Sequence, residues 1–318
     1  MLQQTQVATV IPYYQRFTQR FPTLQSLAEA PEDEVMAQWS GLGYYRRARL
    51  LHQGVREALA TYAGKVPEEA TQRRSLPGIG AYTAGAIGSI AFDQPEPAVD
   101  GNVMRVLCRL YDIDSSLGLS QTQKQLWKIA ADLVQGERPG AFNQALMELG
   151  ATLCTPRNPR CEQCPLQSHC QAYKNNTVAQ RPVPKPRPVV RDMHCLALVI
   201  HSQDREQVWL TRSEKALFGG LWHPPLLQLS QQHQARPKAR GLARELELDI
   251  PRLSYVKTPV QHTLSHRQMN ITVAHGSARS SIKHSKLRAF THTQLAQVGI
   301  ATLTRKLLSS VEPMSNQR

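Results

Sequence analysis

Residues 154–170 read CTPRNPRCEQCPLQSHC, four cysteines spaced C-x6-C-x2-C-x5-C within seventeen positions. So dense a set of thiols reads as a ligand set. A [4Fe–4S] cluster takes four cysteine thiolates, whereas structural zinc usually draws its ligands from two short C-x-x-C type pairs. Only Cys161 and Cys164 are that close. The spacing therefore favours the iron–sulfur cluster over zinc, with Cys154, Cys161, Cys164 and Cys170 as ligands. Cys108 and Cys195 stand alone in apolar stretches and read as core. Clustered thiols behind an opening MLQQTQVATV, which has no basic export signal, point to the reducing cytoplasm.

Outward from this loop the 318-residue chain has two textures, enough for two domains. Residues 1–153 read as helices with short connections and no competing strand pattern. Helices are expected over 2–21 (interrupted by Pro12), from Pro31 with its following acids, and over 45–62, 81–92, 102–111, 121–134 and 141–153. Proline in the first turn and acids beside it suit a helix start. Downstream, Arg181–Pro188 reads RPVPKPRP, a basic extended linker within 174–191. Beyond it the hydrophobic period switches to two. Strands are expected over 195–201, 207–212, 253–260 and 269–275, with a helix over 237–248, a smaller α+β domain spanning 192–312. The tail after Glu312 is expected to fray.

Thirty-eight basic against 24 acidic residues give +14 and a pI near 9.8, a balance that favours an anionic polymer, nucleic acid first. No run of eighteen apolar residues reads as a membrane span. Leu76-Pro77-Gly78-Ile79-Gly80 lies between two helical stretches, and its glycines leave free amides at the start of the next helix. Such an N-terminus suits a phosphate. Alone the motif is only a turn; the cysteine cluster downstream strengthens it. Asp100, ahead of Gly101-Asn102 and an apolar helix, reads as an N-cap. It also reads as a carboxylate placed to face a developing positive charge, and the two roles are compatible.

In order, LQQT, GLGYY, LPGIGAYTAGAI, VDGNVMRVL, FNQALMELG and the cysteine spacing resemble the endonuclease III superfamily of helix–hairpin–helix DNA glycosylases, and within it the MutY-type branch. The likeness implies an all-α glycosylase domain over 1–173, carrying the cluster loop, followed by a Nudix-like α+β domain. It implies base excision repair by a monomer acting on double-stranded DNA near the nucleoid. Adenine mispaired with 8-oxoguanine or guanine would be flipped from the stack and cut from its sugar. The related lyases carry a lysine after the hairpin; Tyr82 stands there, and a phenol cannot form an imine. The resemblance is thus to the monofunctional branch, and it disfavours a lyase acting on oxidised pyrimidines.

Carried over by motif, Asp100 would stabilise the sugar cation, with Tyr82 and Asn102 positioning the reacting groups. Gln144 would bond the adenine edge. Gln3, Gln4 and Tyr44 would enter the duplex near the opposite base, and Gly78 and Gly80 would meet the DNA backbone. The cluster is expected to be structural, with Arg157, Arg160 and His169 set around phosphates. In the second domain, QHTLSH over 261–266 resembles the family's recognition loop, so Ser265 and His266 would read 8-oxoguanine; Leu264 replaces the usual aromatic. Arg244-Glu245-Leu246-Glu247-Leu248-Asp249 resembles a Nudix box short of carboxylates, which predicts recognition rather than metal-dependent hydrolysis. The resemblance also places a general-acid glutamate two residues ahead of the motif methionine, here Met1, and residues 1–20 hold no Asp or Glu. General acid catalysis is worth about 10²- to 10⁴-fold. The expectation is that this 318-residue chain excises adenine very poorly, through a start set too late or as a non-catalytic lesion-binding relative.

Overall fold

The computed structural model describes residues 1–3, 5–186, 189–213, 218–264, 267–279, 282 and 284–311. The backbone groups into two compact units, Met1–Arg56 with Pro188–Arg318, and Glu57–Arg187. Helix α4, Arg46–Thr61, carries the chain from one to the other.

The Glu57–Arg187 unit is helical: α5 (Ala70–Ser75), α6 (Ala81–Phe92), α7 (Gly101–Leu110), α8 (Ser120–Leu133), α9 (Pro139–Thr152) and the short α10 (Gln171–Lys174). Its core is Val103, Val106 and Leu107 of α7, Leu126 and Ala130 of α8, and Leu146 of α9. The apolar positions of α7 recur at three- and four-residue spacing, so burying them fixes one face of the helix. α7 and α9 approach until a Cβ on Gly150 would lie 2.7 Å from the Asn102 Cβ. The start of the basic proline-rich stretch, residues 181–184, is held against the loop ahead of α8. Leu117 N donates to Val183 O at 3.0 Å, the Ser116 hydroxyl to Pro184 O at 2.9 Å, and Arg181 pairs with Asp112 at 2.8 Å.

The other unit holds α1 (Val7–Arg20), α2 (Leu24–Glu29) and α3 (Glu32–Trp39). α1 begins five residues later than the pattern suggests because Arg47 holds the Met1 carbonyl at 2.8 Å, and the Gln3 carbonyl too. It runs through Pro12, whose missing N–H costs one bond near an exposed end. Pro31 is the N-cap of α3 rather than a first-turn residue.

The same unit contains a mixed sheet. Its strands are β1 (Arg191–His201), β2 (Gln207–Arg212), β3 (Trp222–His223), β4 (Leu226–Leu229), β5 (Ser254–Tyr255), β6 (Val260–Leu264), β7 (Arg267–Ser277) and β8 (Leu287–Thr291). The main order is β3-β2-β1-β7-β5, with β4 on β1, β6 on β7 and β8 on β2. β1 and β7 pair in parallel along their full length, from Arg191↔Arg267 to His201↔Ser277. Helices α11 (Ala235–Glu245), α12 (His292–Leu295) and α13 (Thr302–Ser309) complete the unit. β7 alternates from Met269 to Val273, with Met269, Ile271 and Val273 inside, and Ala274 beyond them is buried as well. β1 does not: Cys195–His201 is buried without interruption. Its even positions Leu196, Leu198 and Ile200 pack with Ala235, Ala239 and Ala243 of α11, so both faces of this central strand are covered. The single strand expected over 253–260 is two, β5 and β6, and Pro259, which has no N–H to give a ladder, stands directly ahead of β6.

Candidate active site and cysteine loop

The hairpin is built as its sequence dictates. Gly78 has φ +82, the left-handed region that glycine enters without penalty, and Gly80 caps α6 with open space where a Cβ would stand. Behind the turn, Arg73 is fully buried. Its guanidinium pairs with Glu96 and donates to Gln94 Oε1 at 3.0 Å and to the carbonyls of Pro67, Glu68 and Ala84. One side chain thus holds α5, α6 and the segment that leads to Asp100.

Asp100 caps α7. Oδ1 accepts from Val103 N at 2.8 Å and Oδ2 from Asn102 Nδ2 at 3.0 Å, so both oxygens are fixed. Tyr82 stands near it: burial first, and the Asp100 carboxylate second, push the phenol above its usual range. The phenol therefore keeps its proton at neutral pH, and it donates to Met147 Sδ at 3.5 Å. Asn102 Oδ1 in turn accepts from Arg105 Nη2 at 2.9 Å. Arg105 also donates from Nε to Cys154 O at 2.7 Å and from Nη2 to Gly150 O at 2.6 Å. Tyr82, Asp100 and Asn102 are thus brought together, and Arg105 links them to the cysteine loop. Gln144 is exposed on α9, donating to Gly140 O at 3.2 Å. Its neighbour Asn143 is buried, and bonds Ala98 N, Glu96 O and the Ser89 hydroxyl.

Cys154, Cys161, Cys164 and Cys170 are unpaired by disulfides and line one cavity with Arg109 and Tyr173. Among the described residues no three His, Cys, Asp or Glu side chains converge on a single-ion site. Four cysteine sulfurs lining one cavity match in number and chemistry the donor set of an iron–sulfur cluster. Burial, then the neighbouring cysteines, push the Cys161 thiol up, and burial raises Cys170. Ligation therefore has to displace protons. Arg109, 3% exposed, supplies the positive charge: Nη1 lies 3.3 Å from Cys154 Sγ and 2.8 Å from Thr155 O, and Nε reaches Val178 O and Arg181 O. Its own carbonyl accepts from the Cys170 thiol at 3.3 Å. Arg157 and Arg160 lie in the loop, where Arg160 donates to Thr152 O at 2.6 Å.

In the other unit, Tyr44 is 53% exposed and holds φ +47, an unusual backbone for an aromatic residue. Arg47 ties it to Gln3. The guanidinium lies 5.5 Å from the Tyr44 ring, donates to Gly43 O at 3.3 Å, and holds the Gln3 carbonyl. Gln4, Ser265 and His266 lie outside the described residues. In the Nudix-like box, α11 stops at Glu245, Glu247 follows in the left-handed region, and Leu248 is buried. Arg73, Arg105, Arg109 and Asn143 were not singled out by sequence reasoning. For Arg105, Arg109 and Asn143 the one signal is a polar residue on an otherwise apolar helix face; Arg73 lies in the polar stretch ATQRRS and offers none.

Residues 1–132 match the profile of the HhH-GPD superfamily base excision DNA repair proteins. Residues 154–170 match the iron-sulfur binding domain of endonuclease III, and 196–310 the NUDIX domain. An adenine DNA glycosylase of Rattus norvegicus is 56% identical over 175 residues, 55% of this chain and 34% of the relative. One of Mus musculus is 37% identical over 361 aligned positions, 98% of this chain and 70% of the relative. One of Arabidopsis thaliana is 41% identical over 277, covering 76% and 43%. The match thus spans about a third of the rat relative and 70% of the mouse one.

Proposed function

The chain belongs to the adenine DNA glycosylase family, and on that premise we propose that it hydrolyses the N-glycosidic bond of adenine mispaired with 8-oxoguanine or guanine in duplex DNA, without cutting the strand. The Tyr82–Asp100–Asn102 group carries this reading. Loss of the base leaves positive charge on the sugar. A carboxylate fixed by a helix amide and an amide side chain can meet that charge without reorganising. Tyr82 offers a protonated phenol and no amine, so no imine with the sugar follows. Gly78 and Gly80 at the start of α6, with the +14 net charge, suit the phosphate backbone. Gln144 suits the flipped base, and Gln3, Gln4 and Tyr44 the gap it leaves; Ser265 and His266 would read the opposite base.

We assign the four cysteines as ligands of the [4Fe–4S] cluster. When bound, it supplies a fixed, net negative anchor for the loop between Cys154 and Cys170; the chemistry at the sugar is left to Asp100. The alternative reading is binding of the lesion without excision. A single-turnover assay on an adenine:8-oxoguanine duplex separates the two. Excision requires an alkali-labile site that disappears in Asp100→Asn while binding persists, with no borohydride-trapped adduct. Tight binding with no such site selects the second reading, and excision that survives Asp100→Asn removes the role given to that residue.

A further inference from the structure

The turn that carries Tyr44 is built against the loop before α13, within one unit. The Tyr45 phenol donates to Ile300 O at 3.2 Å and accepts from Gly41 N at 3.1 Å. The Ser40 hydroxyl donates to the same Ile300 carbonyl at 3.2 Å, and Arg305 Nη2 donates to Ser40 Oγ at 3.2 Å. Ile300 is itself fixed: it bridges Trp222, whose N donates to Gly299 O at 2.9 Å. Trp222 Nε1 donates to Asp33 Oδ1 at 3.3 Å. Arg212 pairs with Asp33 at 3.2 Å and Glu32 at 3.1 Å, and Arg49 pairs with Glu32 at 3.3 Å. The surfaces are close as well as polar. A Cβ on Gly299 would stand 2.5 Å from Met36 Cβ, and one on Gly220 would stand 1.6 Å from the Arg49 guanidinium.

What this contact encloses is a strained turn. Gly41, Gly43 and Tyr44 have φ of +106, +73 and +47. A tyrosine in the left-handed region persists only where its surroundings over-determine it. Here they do: Tyr45 is anchored to Ile300, Trp39 Nε1 donates to Gly43 O at 3.2 Å, and Arg47 holds the other side. α13, which follows Ile300 directly, also packs on β6 and β3. One short segment therefore touches both the Tyr44 turn and the strand that leads to the lesion-reading loop expected from the sequence.

We propose that Tyr45, Ser40 and Arg212 are positioning residues for lesion recognition, through which the Nudix-like domain clamps the Gly41–Tyr44 turn and sets where Tyr44 stands. The proposal deepens the glycosylase reading and rests on it for the role of Tyr44. The test uses the full chain and two duplexes, one with 8-oxoguanine opposite a non-cleavable adenine analogue and one undamaged. Tyr45→Phe removes two hydrogen bonds and lowers the ratio of the two affinities about tenfold, while affinity for undamaged DNA and iron content stay unchanged. Arg212→Ala lowers the ratio similarly and Arg212→Lys restores part of it. In a Tyr44→Ala background, Tyr45→Phe has no further effect, because it acts through Tyr44. Additive losses, or an unchanged ratio in Tyr45→Phe, overturn the clamp. A wild-type chain with no preference for the lesion overturns the glycosylase reading instead. Amide exchange over residues 41–47 then decides the clamp alone: faster exchange in Tyr45→Phe supports it, and unchanged exchange removes it.

Discussion

Gly85→Ala isolates the placement of Asp100 from its chemistry. Gly85 lies inside α6, facing the backbone just ahead of the α7 cap. A Cβ there would stand 2.0 Å from Pro97 O, 2.9 Å from Pro97 C and 3.5 Å from Ala98 N. Ordinary contact starts at 3.4 Å, so the Pro97 carbonyl must retreat by about 1.4 Å (3.4 − 2.0). It has nowhere free to go. Asn143 grips the same segment from behind, with Oδ1 3.2 Å from Ala98 N and Nδ2 2.8 Å from Glu96 O. Alanine in a helix interior is favoured over glycine by about 1 kcal/mol. Against that, overpacking costs about 1–3 kcal/mol, and each disturbed hydrogen bond about 1 kcal/mol more. The clash wins, and a net loss of about 2 kcal/mol is expected in urea denaturation followed by circular dichroism. Pro97 is three residues before Asp100, and a displacement near 1 Å at a reacting group costs about 10²-fold in rate. Single-turnover excision by Gly85→Ala, under the proposed function, falls by that order. Gly241→Ala is the control: it lies in α11, and a Cβ added there would meet nothing within 4 Å, so only the propensity gain remains. A Gly85→Ala chain as stable and as fast as wild type would refute the reasoning.

Three further outcomes follow from buried charge. Arg73→Met leaves Glu96, 18% exposed, without its cation and strips donors from three carbonyls. A loss of about 3–5 kcal/mol is expected in denaturant, and a loss below about 1 kcal/mol would contradict the assignment. His201 is 7% exposed, neither ring nitrogen has a hydrogen-bond partner among the described residues, and burial first, then Arg205, His275 and His292, depress its pKa to about 4. The unfolded chain, near 6.5, takes up the proton first, so stability that is complete above pH ~6.5 is lost as pH falls toward 4. The contribution is about 3 kcal/mol; His201→Leu should flatten that fall, and an identical pH slope would exclude His201 as its source. Arg109→Leu should lower iron per chain and the visible absorbance of the purified protein, with Arg109→Lys intermediate. Full iron occupancy in the leucine variant would show that the guanidinium is not needed.

The parts legible in the sequence are those written in local chemistry. α6 begins and ends where its apolar run and Gly80 place it. Asp100 is readable as a cap because it precedes Gly101-Asn102 and an apolar helix. The cysteine spacing speaks for itself. What escaped was chemistry carried by backbone carbonyls. Arg109 bonds Arg181 O across 72 residues, and Tyr45 bonds Ile300 O across 255. A carbonyl has no side-chain identity, so no residue pattern announces it. β3 and β5, two residues each, are too short for any period to register. β1 is legible as a strand but its two-sided burial is not, because the helices that cover it come later in the chain.

The buried arginines also bear on what the cysteine loop holds. Arg73 is neutralised by Glu96, the usual solution for an enclosed guanidinium. Arg109 is as deeply placed, at 3% exposure, yet its partners among the described residues are carbonyls and Cys154 Sγ, with no carboxylate. Carbonyls satisfy its N–H groups but leave the charge uncompensated, and an unpaired buried charge is expensive. Four protonated thiols would not help, nor would disulfides, since both are neutral. Four thiolates around an iron–sulfur core carry net negative charge beside the guanidinium. The arginine and the thiols therefore make sense together only when the loop is metallated, and Arg105, bonded to Cys154 O and to Asn102, ties that condition to the Asp100 cap.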